Sequence, residues 1–171
     1  MTTLQHSLGK LGSILGRGIL AGLAGTAAIT VSQMIEMKLT HRSASEAPVR
    51  IGSEVLGVEP TGKPHPLHEK QYGNKATKDA HTARFAQIMH WSYGTSLGIS
   101  RGFVAATGLK GWPATAVHFA IVWGTALVML PSTKQAKPIT EWPPEQIAID
   151  FWHHAVYALA AGAAYDAIDV D

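Results

Sequence analysis

The run His90-Trp-Ser-Tyr-Gly94-Thr-Ser-Leu-Gly98-Ile-Ser-Arg-Gly102 sets a histidine and three glycines at intervals of four. An α-helix turns once every 3.6 residues, so residues four apart share a face. The run therefore predicts a helix with one small-residue side headed by an imidazole. A second run, His154-Ala-Val-Tyr-Ala158-Leu-Ala-Ala-Gly162-Ala-Ala-Tyr-Asp166, has the same form, and Gly18-Ile-Leu-Ala-Gly22 opens a third apolar stretch in a similar way. Small faces allow helix backbones to approach closely. In lipid, where apolar side chains gain nothing by meeting one another, that approach supplies much of the attraction between helices. Gly18, Gly22, Gly94, Gly98, Gly102, Ala158 and Gly162 are the expected packing residues.

The chain has 171 residues, a length suited to a single domain, 1–171. Charged residues make up 15% of it, well below the quarter or so usual in soluble domains. Nearly half of that charge lies in residues 40–84, which leaves four apolar stretches at 18–39, 85–109, 112–130 and 147–168. Each is about 20 residues, long enough to cross a hydrocarbon core of about 30 Å. A soluble alanine-rich bundle is the rival reading. It would carry charge on one face at every turn, whereas 18–35 and 112–130 contain no Asp, Glu, Lys or Arg. A secretory signal is a second rival for the first stretch, but the apolar run passes into Gln33-Met-Ile-Glu36-Met-Lys38 with no small-residue cleavage site. The expected fold is an all-α integral membrane four-helix bundle of two tandem helical hairpins.

Local signals set the expected boundaries. Residues 1–17, with Gly9, Gly12 and Gly16, read as a weakly helical lead. Residues 40–84 form one polar loop, with a short surface helix near 49–58 and a proline-rich irregular stretch at 61–66. The second long helix is expected from about Asp79 to Thr107. The third starts at Trp112-Pro113, where proline suits the first turn, and ends at Pro131. Trp142-Pro143-Pro144 marks the start of the last. Lys38, Arg42, Arg84, Lys134 and Lys137 flank the ends that adjoin loops 40–84 and 131–146. The excess of positive charge near cytoplasmic span ends puts those loops in the cytoplasm and both termini outside. Trp91, Trp142 and Trp152 would lie at the loop face and Trp112 at the other, as interfacial anchors, with Trp123 central.

With the second and fourth helices parallel and the first antiparallel to both, Glu36, His90, His153 and His154 fall at similar depth. Ionisable groups at membrane depth are expensive and usually face a bundle interior or a wet cavity. This set is therefore the candidate ion or proton site. Three chemistries are open to it: a divalent metal held by a carboxylate and imidazoles, a proton relay, or a haem between paired histidines. Against them stands a simpler role, in which the four side chains anchor helix ends at the headgroups. At the other end, the register of the stripes pairs Arg101 with Asp166, a contact that would fix helix rotation. His118 has no evident partner, and His65, His68 and His81 lack ligand spacing.

The chain has no cysteine, which excludes disulfides and thiolate metal sites. A net charge of +2 gives no footprint for nucleic acid. No phosphate-binding glycine loop, His-Glu-x-x-His helix or nucleophile elbow occurs, so no enzyme activity and no cofactor is expected. The run Ala116-Val-His118-Phe, the helix-ending Pro131, the 142–145 segment and His154-Ala-Val-Tyr157 resemble the YagU-like family of small bacterial inner-membrane proteins, mainly over residues 112–168. That resemblance implies a multi-span inner-membrane protein without an assigned activity. The expected function is a structural or accessory one through glycine-stripe packing, within the lipid bilayer, against a second copy or a larger membrane partner. Proton or metal-ion transport through the Glu/His cluster is the alternative, and a haem-binding subunit is the third.

Overall fold

The computed structural model describes residues 3–43, 45–57 and 75–169, which form helices and connecting turns without a strand. Five α-helices follow one another: α1 Thr3–Thr40, α2 Ala47–Leu56, α3 Lys75–Ala106, α4 Gly111–Ser132 and α5 Pro144–Ile168. A single 3-10 turn, Ile139–Glu141, precedes the last. The all-α expectation holds, and α2 occupies the stretch expected to form a surface helix. The irregular segment expected at 61–66, with His65 and His68, lies outside the described residues.

One boundary needs correction. The expected weakly helical lead at 1–17 is helical from Thr3 and continuous with the first apolar stretch. Each glycine weakens a helix by about 1 kcal/mol relative to alanine, but extending an existing helix adds a hydrogen bond per residue fixed. No proline interrupts the run, and α1 packs on another helix from Ile14 onward. At the other end α1 stops at Thr40, where His41 takes a left-handed backbone (φ 56°). That turn closes the helix and sends the chain back along it.

The α1–α3 pair is built on the predicted glycines. A Cβ at Gly18 would lie 2.8 Å from the Ile99 Cα and 3.0 Å from the Gly98 carbonyl oxygen. At Gly22 it would strike the Thr95 backbone, at Gly94 the Thr26 side chain, at Gly98 the backbones of Gly18 and Gly22, and at Gly102 the Ile14 carbonyl. The numbers fall along α3 as they rise along α1, so the two helices are antiparallel and touch backbone to backbone for about two turns, from Ile14 to Gly22 on α1. Helix α5 also runs against α1. Gly25 faces the Tyr157 ring, with a Cβ there only 2.8 Å from Cε2, and Ser32 meets His153. The Tyr157 hydroxyl then donates to the Gly94 carbonyl at 2.6 Å, tying α5 to α3.

The stripe on α5 has a different partner. Gly162 lies under Thr115 of α4, and Trp123 of α4 donates its indole N–H to Asp150 at 2.8 Å. Phe119, Trp123 and Phe151 stack beside that bond, with centroids 5.0–5.5 Å apart. The shared core is Ala21, Ile29, Val122, Tyr157, Ala161 and Tyr165, drawn from α1, α4 and α5, with Leu97 and Ala105 of α3 packed against it. Helix α2 rests on α3 where Gly52 meets Met89 and Phe85.

Two helices, α1 and α4, are long and apolar enough to cross a membrane, and a third or less of the most apolar part of each is buried inside the molecule. Among the tryptophans expected as interfacial anchors, Trp112 and Trp152 are exposed, but Trp142 is buried. Its indole donates to the Lys137 carbonyl at 2.6 Å. It fastens the turn before α5 instead of standing at a surface.

Candidate functional site

The four residues expected to converge divide into three places. His90 heads the α3 stripe that lies on α1, and its Nε2 is 2.9 Å from the Thr30 hydroxyl. That hydroxyl donates its one proton to the Thr26 carbonyl at 2.6 Å, so it accepts from His90, whose proton is on Nε2. His154 turns toward Asp150 of its own helix, with Nδ1 donating to the Asp150 carbonyl at 2.8 Å and the carboxylate at 3.5 Å. Only His153 and Glu36 come together, Nε2 to Oε2 at 3.9 Å. Among the described residues no group of three or more acidic, histidine or cysteine side chains could hold a metal ion. The expected convergence of Glu36, His90, His153 and His154 is corrected by azimuth: neighbours on a helix point about 100° apart, so His153 and His154 cannot both face α1.

The Glu36–His153 pair has further partners. The left-handed turn at His41 returns Arg42 onto Glu36, where Nη2 donates to Oε2 at 2.7 Å and Nε to Oε1 at 3.2 Å. The Thr40 hydroxyl donates to Oε1 at 2.9 Å. The hydrogen bond to Glu36 raises the Arg42 pKa above its ordinary value, so the guanidinium stays charged. On the other side, Ser32 Oγ is 2.9 Å from His153 Nδ1. The carboxylate facing Nε2 favours the tautomer that points N–H toward it, with Ser32 donating to Nδ1. His153 is 5% exposed, and its Nε2 is sealed from solvent without a hydrogen-bond partner.

This pair forms the floor of an open groove between α1 and α5, about 690 Å³ in volume. Its walls are apolar: Val31, Ile35 and Leu39 on one side and Ile149, Trp152 and Val156 on the other. Sequence reasoning placed Glu36 and His153 at one level but missed Ser32, Arg42 and Asp150. Ser32 and Glu36 are four apart on α1, and Asp150 and His154 four apart on α5, a spacing that could have signalled both pairings. Arg42 gave no such signal, because it reaches Glu36 only through the reversal at His41.

At the opposite end the predicted Arg101–Asp166 ion pair is present. Arg101 does not reach an interface as its length would allow. It is fully buried with its guanidinium 4.7 Å over the Tyr165 ring, while Asp166 is 41% exposed. Arg17 and Asp169 add a second pair one turn farther out. His118 is also fully buried: Nε2 donates to the Leu97 carbonyl at 3.3 Å, and the ring lies 5.9 Å from that of Tyr157. Comparisons with family models, curated proteins and solved structures return no match.

Proposed function

We propose that this chain is a four-span protein of a bacterial inner membrane with a structural or accessory role and no enzymatic one. The observation that carries the location is the distribution of polarity. Arg101, His118, His153 and Thr26 are buried, while Val31 and Ile35 of α1, Phe103 of α3, Val128 of α4 and Leu159 of α5 are exposed. A soluble fold places its charge outward; lipid reverses the preference. The charges of α3 and α5 lie toward their ends, and residues 85–100 and 151–165 carry no Asp, Glu, Lys or Arg. These helices then complete the bilayer crossing alongside α1 and α4, with loops 40–84 and 131–146 cytoplasmic.

The glycine stripes take a role inside the chain. Gly18, Gly22, Gly94, Gly98 and Gly102 all lie between α1 and α3, and Gly162 lies between α5 and α4. A second copy or a larger membrane partner would therefore meet the outer apolar faces, not these stripes. The resemblance of residues 112–168 to YagU-like proteins supports the same location. Membranes washed with alkaline carbonate are expected to retain the protein, and a cytoplasm-dependent fluorescent reporter fused after Asp171 is expected to stay dark. Release by carbonate would refute the membrane reading, and a bright reporter the orientation.

A second reading, proton handling, is favoured by the Glu36–His153 approach. A proton suits the pair better than a metal ion, which wants more ligands than the two side chains provide. A haem between paired histidines gains nothing from the geometry, with His90 engaged by Thr30 and His153 by Ser32.

A further inference from the structure

We infer that the α1/α5 groove binds a neutral, single-chain lipid through a hydroxyl head, seated between His153 Nε2 and Glu36 Oε2 with its hydrocarbon tail along the apolar walls. The inference rests on the membrane reading, since the groove then opens to lipid. Three observations point to this class of ligand. The first is the buried nitrogen: His153 Nε2 is sealed without a partner, and as the N–H that the facing carboxylate favours it is costly in an apolar setting and marks a place where an acceptor belongs.

The second is the spacing. At 3.9 Å, Nε2 and Oε2 are too far apart to bond directly; once the side chains that cover Nε2 move aside, one oxygen about 2.8 Å from each spans that gap. The bridging atom must accept from the imidazole and donate to the carboxylate. A hydroxyl does both, whereas an ammonium only donates and a carboxylate only accepts. The third is charge. Arg42 neutralises Glu36 through two of its nitrogens, so the floor attracts neither a cationic nor an anionic head. The volume, about 690 Å³, falls in the 300–1,000 Å³ range of small-molecule sites.

The test uses the full-length protein in lipid nanodiscs with a hexadecanol that carries a photoreactive diazirine in its tail. Crosslinks mapped by mass spectrometry are expected on Val31, Ile35, Ile149 and Val156. Unlabelled hexadecanol should compete at least tenfold better than hexadecane or palmitate. His153→Phe keeps the ring volume and is expected to lower labelling at least tenfold. Because that side chain is buried, Ile35→Trp serves as a second variant: the side chain is exposed, the substitution fills the groove, and it should block labelling with an unchanged thermal melt. Equal competition by hexadecane would show a groove for any acyl chain and overturn the inference, as would equal competition by palmitate or unaltered labelling of both variants. Release of the protein by carbonate, read before any labelling, would instead refute the membrane reading beneath it.

Discussion

Replacing Gly98 by alanine adds one methyl group where α1 and α3 meet backbone to backbone. The new Cβ would be aimed at the Gly18 carbonyl oxygen and at the Gly22 amide nitrogen and Cα, all backbone atoms. No side chain can rotate away, so the helices must separate. Forcing a methylene into a well-packed contact typically costs about 1–3 kcal/mol, and this contact belongs at the upper end. Alanine also returns about 1 kcal/mol of helix propensity, leaving a net loss of about 2 kcal/mol. Gly124 of α4 supplies the control, since a Cβ there meets nothing within 4 Å. Gly124→Ala should keep the whole propensity gain, about 1 kcal/mol. The two substitutions are chemically identical and are expected to differ by about 3 kcal/mol, more than a hundredfold in the unfolding equilibrium. Denaturation of the purified protein in mixed micelles, followed by circular dichroism, reads the difference. If Gly98→Ala is as stable as Gly124→Ala, α1 and α3 are not packed through their glycines, and the account of the fold fails with them.

The ion pair at the other end is asymmetric, and its two halves should respond differently. Asp166→Asn leaves a fully buried guanidinium without its carboxylate and is expected to cost about 3 kcal/mol, whereas Arg101→Met leaves a carboxylate that already reaches water and should cost less than about 1 kcal/mol. Equal losses in the same denaturation would show that Arg101 is hydrated. Tyr157→Phe removes the hydroxyl bond to the Gly94 carbonyl while keeping the ring against Gly25; a loss of about 1 kcal/mol is expected. A loss above about 3 kcal/mol would mean that the phenol holds more than that one bond.

What the sequence conveyed about the fold came from period and direction. Intervals of four at Gly94, Gly98 and Gly102 and at Gly18 and Gly22 name the α1–α3 contact almost completely, because a face without side chains has only backbone to offer. The parallel course of α3 and α5, implied by the order of helices, also brought Arg101 to Asp166. The behaviour of 3–17 was less legible. Glycine content lowers local helix propensity, but continuity with a packed segment decides whether a helix propagates, and that depends on the partner helix. The burial of Trp142 was hidden for a similar reason, since its acceptor, the Lys137 carbonyl, belongs to a turn whose shape no periodicity describes.

The candidate site exposes a sharper limit. The stripes headed by His90 and His154 look like copies, and equal depth suggested that their heads meet. Depth fixes only one coordinate of a side chain; azimuth is fixed by which face becomes core. On α5 that face is Tyr157, Ala161 and Tyr165, all within the shared core, and His153 continues it one turn earlier. The stripe of His154, Ala158 and Gly162 is rotated by one residue, toward α4, where Gly162 meets Thr115. The two similar stripes therefore face different helices, α3 toward α1 and α5 toward α4, and their histidines are separated by that choice. The aromatic spacing at 157 and 165 outranks the small-residue spacing beside it, because the two tyrosines add polar contacts that a methyl-sized stripe cannot: Tyr157 donates to the Gly94 carbonyl and the Tyr165 ring lies under the Arg101 guanidinium. His153, which belongs to no conspicuous motif, is thus the imidazole brought to Glu36.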